Sequence, residues 1–342
     1  MGERALRHEA ATADDIAAMA DLMREAMAAG AAGFSNGRLT THMSSRGDRV
    51  PDTFAEDEEL LAIAKAMGES GHGVFQMIPK GANGAVVVDP VSRDDRIAEH
   101  RRLEAIARAS GRPVTYTVME YADDPADLKM MIAESNRACV SGLQIRPQTT
   151  ARGLGAINTL DAYHIFARKP SYRAIAHLPR QERAIAMRDL ARRAAILAEA
   201  DVDGEYASNP AVLKMLSNIR EALPTTYVLA STVDYEPGPE RRVSALAAAA
   251  GKTPEEFIYD YYAAGDGANF NVFFPLSYAR ETLEHVGELL SNPIVVSGLA
   301  DGGAHNRMIC DASAPTFQLA LWARDRKRGD RLPLELKGAP HP

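Results

Sequence analysis

The sequence has few cysteines and no long apolar run. Its 342 residues include two cysteines, Cys139 and Cys310, too few for a disulfide framework or a four-cysteine zinc site. No apolar run approaches the roughly 20 residues needed to cross a bilayer, and the first residues, MGERALRHEAATADD, contain no apolar signal core. These absences predict a soluble protein of the cytoplasm with no membrane partner.

Positive charge is also scarce, because the formal net charge is −7. Nucleic acids attract clustered Lys and Arg side chains. The densest basic run, Arg324 to Arg331, is interrupted by Asp325 and Asp330. The charge pattern therefore argues against a nucleic-acid partner. Nucleotide binding has no local support either, since the sequence contains neither G-x-G-x-x-G after a predicted strand nor G-x-x-x-x-G-K-[ST].

Helical patterns alternate with short apolar runs along the chain. Several of these runs are rich in β-branched and aromatic residues, which are typical of buried strands. The predicted strands lie at 32–37, 73–79, 113–121, 142–150, 225–231 and 292–305. The alternation predicts an α/β fold with a parallel sheet, in which catalytic groups lie at the carboxyl ends of the strands.

Two segments stand apart from this alternation. The stretch 151–223 has helical patterns and no convincing strand, which predicts a helical insertion or lid. Residues 336–342 are predicted to be an unstructured tail. Near the start, Thr12 and Asp15 have the spacing of an N-cap and an acidic N3 residue, which predicts a helix that begins after Thr12.

The sharpest local signal is SGLADGGAH, residues 297–305. An apolar run delivers Asp301 at the end of a predicted strand, two glycines permit a tight turn, and His305 follows. A carboxylate at this place is suited to take a proton from water and to return it, as general base and then general acid. The alternative, that Asp301 caps a turn, stays open because Asp-Gly is a common turn dipeptide.

Polar residues near other predicted strand ends are weaker candidates for substrate binding. Arg146 and Gln148 suit a substrate carboxylate or carbonyl, because Arg offers a planar fork of donors. The alternative for Arg146 is a surface position in a loop. Ser35 either lines a pocket or makes a turn, and Arg38 is expected in an exposed polar loop.

Three further histidines are given structural interpretations. His164 and His177 lie near aromatic residues and prolines, and both are predicted to be packing residues rather than ligands. His285 lies in a helical pattern, PLSYARETLEHVGELL, and a surface position is predicted for it.

Several ordered blocks of the sequence resemble one family, the D-aminoacylase-like amidohydrolases, which are N-acyl-D-amino-acid deacylases. One block reads AMAAGAAGFSNGRLTTHMSSRGDRVPDTFAEDEELLAIAKAMGESGHGVFQ and is similar to an early strand and helix of that family. Another reads VSGLADGGAHNRMICDASAPTFQLALWARDRKRG and resembles the family's last barrel strand. The resemblance runs from about Met1 to Glu335.

This resemblance implies a fold, a reaction and site residues. The fold is a distorted TIM-like (β/α)8 barrel, of which residues 1–335 correspond to about strands three to eight. The reaction is hydrolysis of an amide C–N bond by a zinc-activated water, typically on a small N-acyl-D-amino acid. Asp301 matches the catalytic carboxylate, His305 is the candidate metal ligand, and Arg146 or Arg307 engages a substrate carboxylate. Ser35, Arg38 and Gln148 complete the expected substrate-binding set.

The sequence also departs from the family pattern. The family's HxH metal pair and its bridging ligand lie on the first two barrel strands, and this sequence begins after both. It has no counterpart of the C-terminal part of the family's β-sandwich. Gln76 and Val118 stand nearest to the positions of two later histidine ligands.

Two other functions therefore stay open. One is a scaffold or binding role without turnover, and the other is an amidohydrolase that acts on a cyclic amide or decarboxylates its substrate. A partial barrel also has exposed sheet edges, which favour a homo-oligomer.

Overall fold

The computed structural model describes residues 1–39, 42, 44, 48–82, 91–120, 125–208, 210–229, 233–299 and 313–335. Five parallel strands form its larger sheet in the order β1-β2-β3-β4-β8. Their bounds are β1 Gly33–Gly37, β2 Val74–Ile78, β3 Val114–Thr117, β4 Ile145–Thr149 and β8 Val296–Ser297. All five lie inside predicted ranges, and the predicted α/β fold with a parallel sheet is confirmed. The described residues form no closed barrel.

Helices alternate with the first four of these strands. They are α2 (Ala13–Ala28), α3 (Asp57–Glu69), α4 (Arg93–Ser110) and α5 (Pro125–Val140). The predicted N-cap of α2 is confirmed, because the Thr12 side chain accepts from the Asp15 backbone N–H and the Asp15 carboxylate accepts from the Thr12 N–H. Ser92 begins α4 with the same capping box.

The parallel sheet has one apolar face and one polar face. Side chains alternate along a strand, so every second residue points towards the helices. The fully buried strand residues of this helix-covered face include Phe75, Met77, Val114, Tyr116 and Ile145. The opposite face, called the open face below, carries Ser35, Gln76, Thr115, Arg146 and Gln148. Burial of each large apolar side chain stabilises the fold by about 1.5–3 kcal/mol.

A second, antiparallel sheet corrects the sequence analysis. It has the order β5-β7-β6, with β5 Leu154–Thr159, β6 Tyr227–Val228 and β7 Phe270–Leu276. The prediction that 151–223 holds no strand is wrong, since β5 lies within it. The predicted strand at 225–231 exists as β6, but it pairs antiparallel with β7 rather than joining the parallel sheet. β7 was not predicted.

Short helices pack beside this second sheet around their own apolar core. They are α6 (Pro170–Arg173), α7 (Arg180–Met187), α8 (Leu190–Ala198), α9 (Pro210–Ala222), α10 (Val243–Ala249) and α11 (Pro254–Ala263). Phe166, Tyr259 and Tyr262 are buried in this core. How the chain divides into domains stays a prediction.

The two histidines predicted to pack in this region have different surroundings. His164 is buried, with its ring edge-on to Tyr172 at a centroid distance of 4.6 Å, and burial lowers its pKa to about 3. The packing role of His164 is therefore confirmed. His177 is exposed, so the same prediction is wrong for that residue.

The remaining helices are α1 (Glu3–Leu6), α12 (Glu284–Ser291) and α13 (Ala314–Ala320). The buried indole of Trp322, just after α13, donates a hydrogen bond of 2.6 Å to the backbone oxygen of Ala151. This bond ties the last described helix to the segment that follows β4. Among the described residues, no helix is long and apolar enough to cross a membrane.

Candidate active site at the carboxyl edge of the parallel sheet

A row of polar side chains crosses the open face. Ser35 of β1 is in register with Gln76 of β2, Gln76 with Thr115 of β3, and Thr115 with Arg146 of β4. Residues in register on adjacent parallel strands point to the same face, so parallel pairing alone brings these four side chains together. The Ser35 hydroxyl donates to Gln76 Oε1.

The next level of the open face lies nearer the carboxyl ends of the strands. Thr117 of β3 is in register with Gln148 of β4. Among the described residues, the hydroxyls of Thr115 and Thr117 are buried without a hydrogen-bond partner. Unpaired buried hydroxyls are unusual in proteins and favour a polar solute at this face.

The end of β8 runs directly against Gln148. A Cβ atom added to Gly298 would overlap the Gln148 side-chain amide, so glycine permits this approach. Leu299 packs against Met119 and Leu276, which follow β3 and end β7. Leu299 therefore lies at the carboxyl ends of the strands. The carboxyl ends of β1 to β4 and β8 are called the carboxyl edge below. Asp301, His305 and Arg307 themselves lie outside the described residues.

Ser35 also lies in a short sequence pattern that is associated with serine hydrolases. Residues 33–37, GFSNG, spell G-x-S-x-G, the pattern of the nucleophile elbow in serine hydrolases. That elbow needs a sharp turn from strand to helix. Here the five residues form the whole of β1, so Ser35 lies within a strand and the elbow geometry is absent. The alternative that Ser35 makes a turn is excluded by the same observation.

Arg38 does not lie in an exposed loop, and that prediction is wrong. Its side chain is 12% exposed and pairs with Glu99 of α4, with Nε 3.1 Å from Oε2. Its Nη1 donates to the Ala55 backbone oxygen at 2.6 Å. The guanidinium thus ties the end of β1 to α4 and to the 3-10 turn that ends at Phe54.

A cleft of about 1230 Å³ opens beside the ends of β1 and β2. Its lining includes Arg38, Asp52, Phe54 and Lys80, so it presents both charges and an aromatic ring. Its volume is ample for a small-molecule solute.

The structure reveals a buried pair at the carboxyl edge, Glu120 and His285, called the inner pair below. Glu120 follows β3 by three residues and is fully buried, and His285 lies in the first turn of α12 and is 3% exposed. His285 Nε2 lies 3.1 Å from Glu120 Oε2, and Arg280 Nε lies 2.8 Å from Glu120 Oε1. The prediction that His285 occupies the surface is wrong.

Burial controls the protonation of the inner pair. Burial raises the pKa of Glu120, against the opposing effect of the Arg280 charge. Burial, together with the Arg280 charge, lowers the pKa of His285 to about 4. At neutral pH His285 is therefore a neutral imidazole beside the contact between Glu120 and Arg280.

The inner pair holds the carboxyl edge together. Glu120 accepts a backbone hydrogen bond from Ala279 through Oε2 at 3.3 Å, and its own backbone oxygen accepts from Ser277 at 2.9 Å. These bonds join the end of β3 to the segment after β7. Since both side chains of the pair are buried, the structure gives them a positioning role.

The carboxyl edge does not complete a zinc site from the described residues. Catalytic zinc usually takes three protein ligands and a water. Glu120 and His285 offer two, and Gln76 and Val118 supply none. A group of three potential ligands does occur in the described part of the chain, but it lies on α4 and α5: His100, Glu104 and Glu134. No step of the reaction proposed below is therefore assigned to a metal ion.

One member of the inner pair had a signal in the sequence. Glu120 closes the predicted strand PVTYTVMEY, and a carboxylate at a strand end is the same argument that singled out Asp301. His285 had no such signal, because its burial depends on how α12 packs against the segment after β3.

Comparison with known proteins adds a weak structural similarity. No protein-family model and no curated protein sequence matches the chain. Three solved structures of D-aminoacylase are similar at 16% sequence identity, with TM-scores of 0.39, 0.40 and 0.38. One comes from a study of the binuclear metal centre of D-aminoacylase, one is described as defining a novel subset of amidohydrolases, and one is a mutant in complex with CuCl2.

The matched region covers 85% of this chain and 43% of each D-aminoacylase chain. This chain therefore spans less than half the length of the structures that it matches. Similarity at this level does not identify a family.

Proposed function

We propose that this protein is a hydrolase of amide C–N bonds of the amidohydrolase type, acting on a small N-acyl amino acid. The observation that carries the proposal is the contact between Gln148 and the end of β8. It sets the polar row of the open face beside the segment that leads to Asp301. Asp301, which follows this segment in the sequence, carries the signature of a catalytic carboxylate.

In the proposed reaction, Asp301 takes a proton from a water molecule that attacks the acyl carbon. The C–N bond then breaks, and the proton passes from Asp301 to the departing nitrogen, which leaves a carboxylic acid and an amine. Arg146 suits the substrate carboxylate, because a guanidinium binds a carboxylate through two parallel hydrogen bonds. Arg307 is the alternative, and Ser35 and Gln148 are proposed to bind the acyl and amide groups.

The test is hydrolysis of a panel of N-acyl-D-amino acids and cyclic amides by the purified protein and two variants. We expect Asp301→Asn to lower kcat/KM by about 1,000-fold, because loss of a general base typically costs 100- to 10,000-fold. Asp21→Asn changes an exposed carboxylate in the same way and should leave the rate unchanged. Equal rates for Asp301→Asn and the parent would remove Asp301 from the mechanism, and turnover of cyclic amides alone would change the substrate class.

A binding protein without turnover is the second candidate. The number of donors favours it, because the described carboxyl edge supplies two ligands where catalytic zinc needs three. Product release separates the two functions. The hydrolase should release a carboxylic acid and an amine from N-acyl amino acids and lose this activity in Asp301→Asn, whereas the binding protein should take up N-acyl amino acids without releasing product.

A further inference from the structure

The helix layer holds a cluster that the proposed reaction does not use. His100 and Glu104 lie four residues apart on α4, and Glu134 faces them from α5. Their potential ligand atoms all lie within 4.8 Å of one another. This group is called the outer cluster below. His100 and Glu104 are buried, which sets the outer cluster apart from an ordinary patch of surface acids.

One nitrogen of His100 has an oxygen partner and the other has none. The ring is 1% exposed, and its Nε2 lies 3.1 Å from the Ser135 hydroxyl oxygen. Its Nδ1 has no hydrogen-bond partner among the described residues, although Glu104 Oε1 lies 3.4 Å away. A buried, unpartnered nitrogen is therefore aimed into the outer cluster.

The surrounding hydroxyls are compatible with a proton on His100 Nε2. The Ser135 hydroxyl donates to the Met131 backbone oxygen at 3.0 Å, and the Tyr116 hydroxyl also donates to that oxygen at 3.3 Å. With its own proton directed to Met131, the Ser135 oxygen can accept from His100 Nε2–H at 3.1 Å. In this tautomer Nδ1 presents a lone pair to a carboxylate oxygen, and two acceptors that face each other are favourable only around a cation.

The separation of these two acceptors fits a metal ion. Zinc bonds of about 2.0–2.1 Å at a tetrahedral angle place two ligand atoms about 3.4 Å apart. His100 Nδ1 and Glu104 Oε1 are 3.4 Å apart. A histidine that binds a metal ion usually donates a hydrogen bond from its second ring nitrogen. A bond from His100 Nε2–H to Ser135 would serve in this way. We propose that His100, Glu104 and Glu134 bind a divalent transition-metal ion, represented by Zn²⁺, between α4 and α5.

Two arginines now neutralise the carboxylates of the outer cluster. Arg137 Nη2 donates to both Glu104 and Glu134, and Arg108 donates to Glu104 at 2.8 Å. Both arginine side chains are more than half exposed. The Arg137 guanidinium thus takes the place of the metal ion between the two carboxylates, and zinc binding requires it to swing into solvent.

The test is zinc titration by calorimetry, with cobalt(II) absorption as a report of tetrahedral geometry. Both are done in a His305→Ala background, so that zinc bound through His305 does not contribute. We expect one equivalent of zinc in this background. Glu134→Gln should weaken binding by about tenfold or more. Arg137→Ala should tighten binding by about tenfold, because a competing positive charge is removed.

Glu69→Gln, which alters an exposed carboxylate on α3, is the matched control and should bind zinc like the background protein. Circular dichroism of each variant checks that it is folded. Arg137→Ala also leaves every proposed ligand in place, so it tests the site even if Glu134→Gln fails to fold. Absence of zinc binding in Arg137→Ala, or binding that Glu134→Gln leaves unchanged, would overturn the proposal.

Discussion

The described part of the chain contains two buried pairs of histidine and glutamate that differ in place and in charge. In the inner pair, Glu120 and His285 approach to 3.1 Å at the carboxyl edge of the sheet. In the outer pair, the members His100 and Glu104 of the outer cluster approach to 3.4 Å in the helix layer. All four side chains are buried, so burial alone does not separate their behaviour.

The number of nearby cations separates the two carboxylates. Glu120 has one arginine, Arg280, and burial raises its pKa in spite of that charge. Burial also acts on Glu104, but hydrogen bonds and charge from Arg108 and Arg137 outweigh it and lower the pKa. The comparison indicates that Arg108 and Arg137 together outweigh the effect of burial on the pKa of Glu104, whereas Arg280 does not outweigh it for Glu120.

The backbone under the two pairs also differs. The outer pair lies four residues apart on a regular helix, a spacing that places two side chains on one face. The inner pair joins the end of β3 to a segment in which Ser277 and Glu281 have φ of 58° and 57°. Positive φ in residues other than glycine concentrates at functional sites, where the surrounding structure holds the strain in place.

The two histidines should differ in their effect on acid stability. The pKa of His285 is lowered from 6.5 to about 4 in the folded protein. As pH falls from 6.5 to about 4, the unfolded chain therefore binds a proton that the folded protein does not, and stability is lost over this range. A shift of this size corresponds to about 3 kcal/mol. His285→Gln should therefore reduce the loss of unfolding free energy between pH 7 and pH 4 by about that amount, as measured by urea denaturation at several pH values.

His100→Gln sharpens this comparison. Burial lowers the pKa of His100, but the Glu104 and Glu134 charges oppose the shift, so the same substitution should have a smaller effect there. His177→Gln makes the same substitution at an exposed position and is measured as the control. A larger change in His100→Gln than in His285→Gln would contradict the assignment of the stronger burial effect to the inner pair.

The parallel sheet was predictable because its signals are local. Its strands are short apolar runs between amphipathic helices, and parallel register then places Ser35 and Arg146 on one face. β7 was missed because Pro275 interrupts it, and proline counts against a central strand. The structure accommodates Pro275 because β6 pairs only with Asn271 and Val272, which leaves that side of β7 unpaired at the proline.

The candidate site was predictable only in part, because only some of its residues are placed by local sequence patterns. Ser35, Arg146 and Gln148 follow from strand register, and Glu120 follows from its place at a strand end. The partner of Arg38 did not follow, because Glu99 lies 61 residues away in sequence. The burial of His285 likewise arises from contacts between distant segments, which no local pattern reports.

The two carboxylates should respond differently to loss of an arginine. Arg280→Met removes the cation that the described residues place beside Glu120 and should raise its pKa further, whereas Arg108→Met leaves Arg137 beside Glu104 and should raise that pKa less. Arg280 is partly exposed, so its ion pair is worth at most about 1 kcal/mol. Carbon-13 NMR titration of the glutamate carboxyl groups measures both.

The pH dependence of the unfolding free energy tests the same comparison, because the two glutamates should affect it in opposite directions. A raised pKa means that Glu120 loses stability as pH rises through its titration, and a lowered pKa means that Glu104 loses stability as pH falls through its own. Glu120→Gln and Glu104→Gln should therefore change the pH dependence of unfolding in opposite directions. Changes of the same sign would show that the second guanidinium does not control Glu104.

The smallest expected effect tests the backbone difference. Ser277 is fully buried at positive φ, and its hydroxyl has no hydrogen-bond partner among the described residues. Ser277→Gly should stabilise the protein by about 1 kcal/mol, because relief of strain and of the unpaired hydroxyl exceeds the entropic cost of glycine. In the helix layer, Ser135→Gly should destabilise it by about 1 kcal/mol or more, since glycine weakens α5 and the bond to His100 is lost.

Ser277→Ala separates the two contributions at the inner pair. It removes the hydroxyl but keeps the positive φ, so urea denaturation should place its stability between that of the parent and that of Ser277→Gly. If Ser277→Gly is instead less stable than Ser277→Ala, the segment after β7 carries no strain. The inner pair would then rest on a backbone as relaxed as the helix beneath the outer pair.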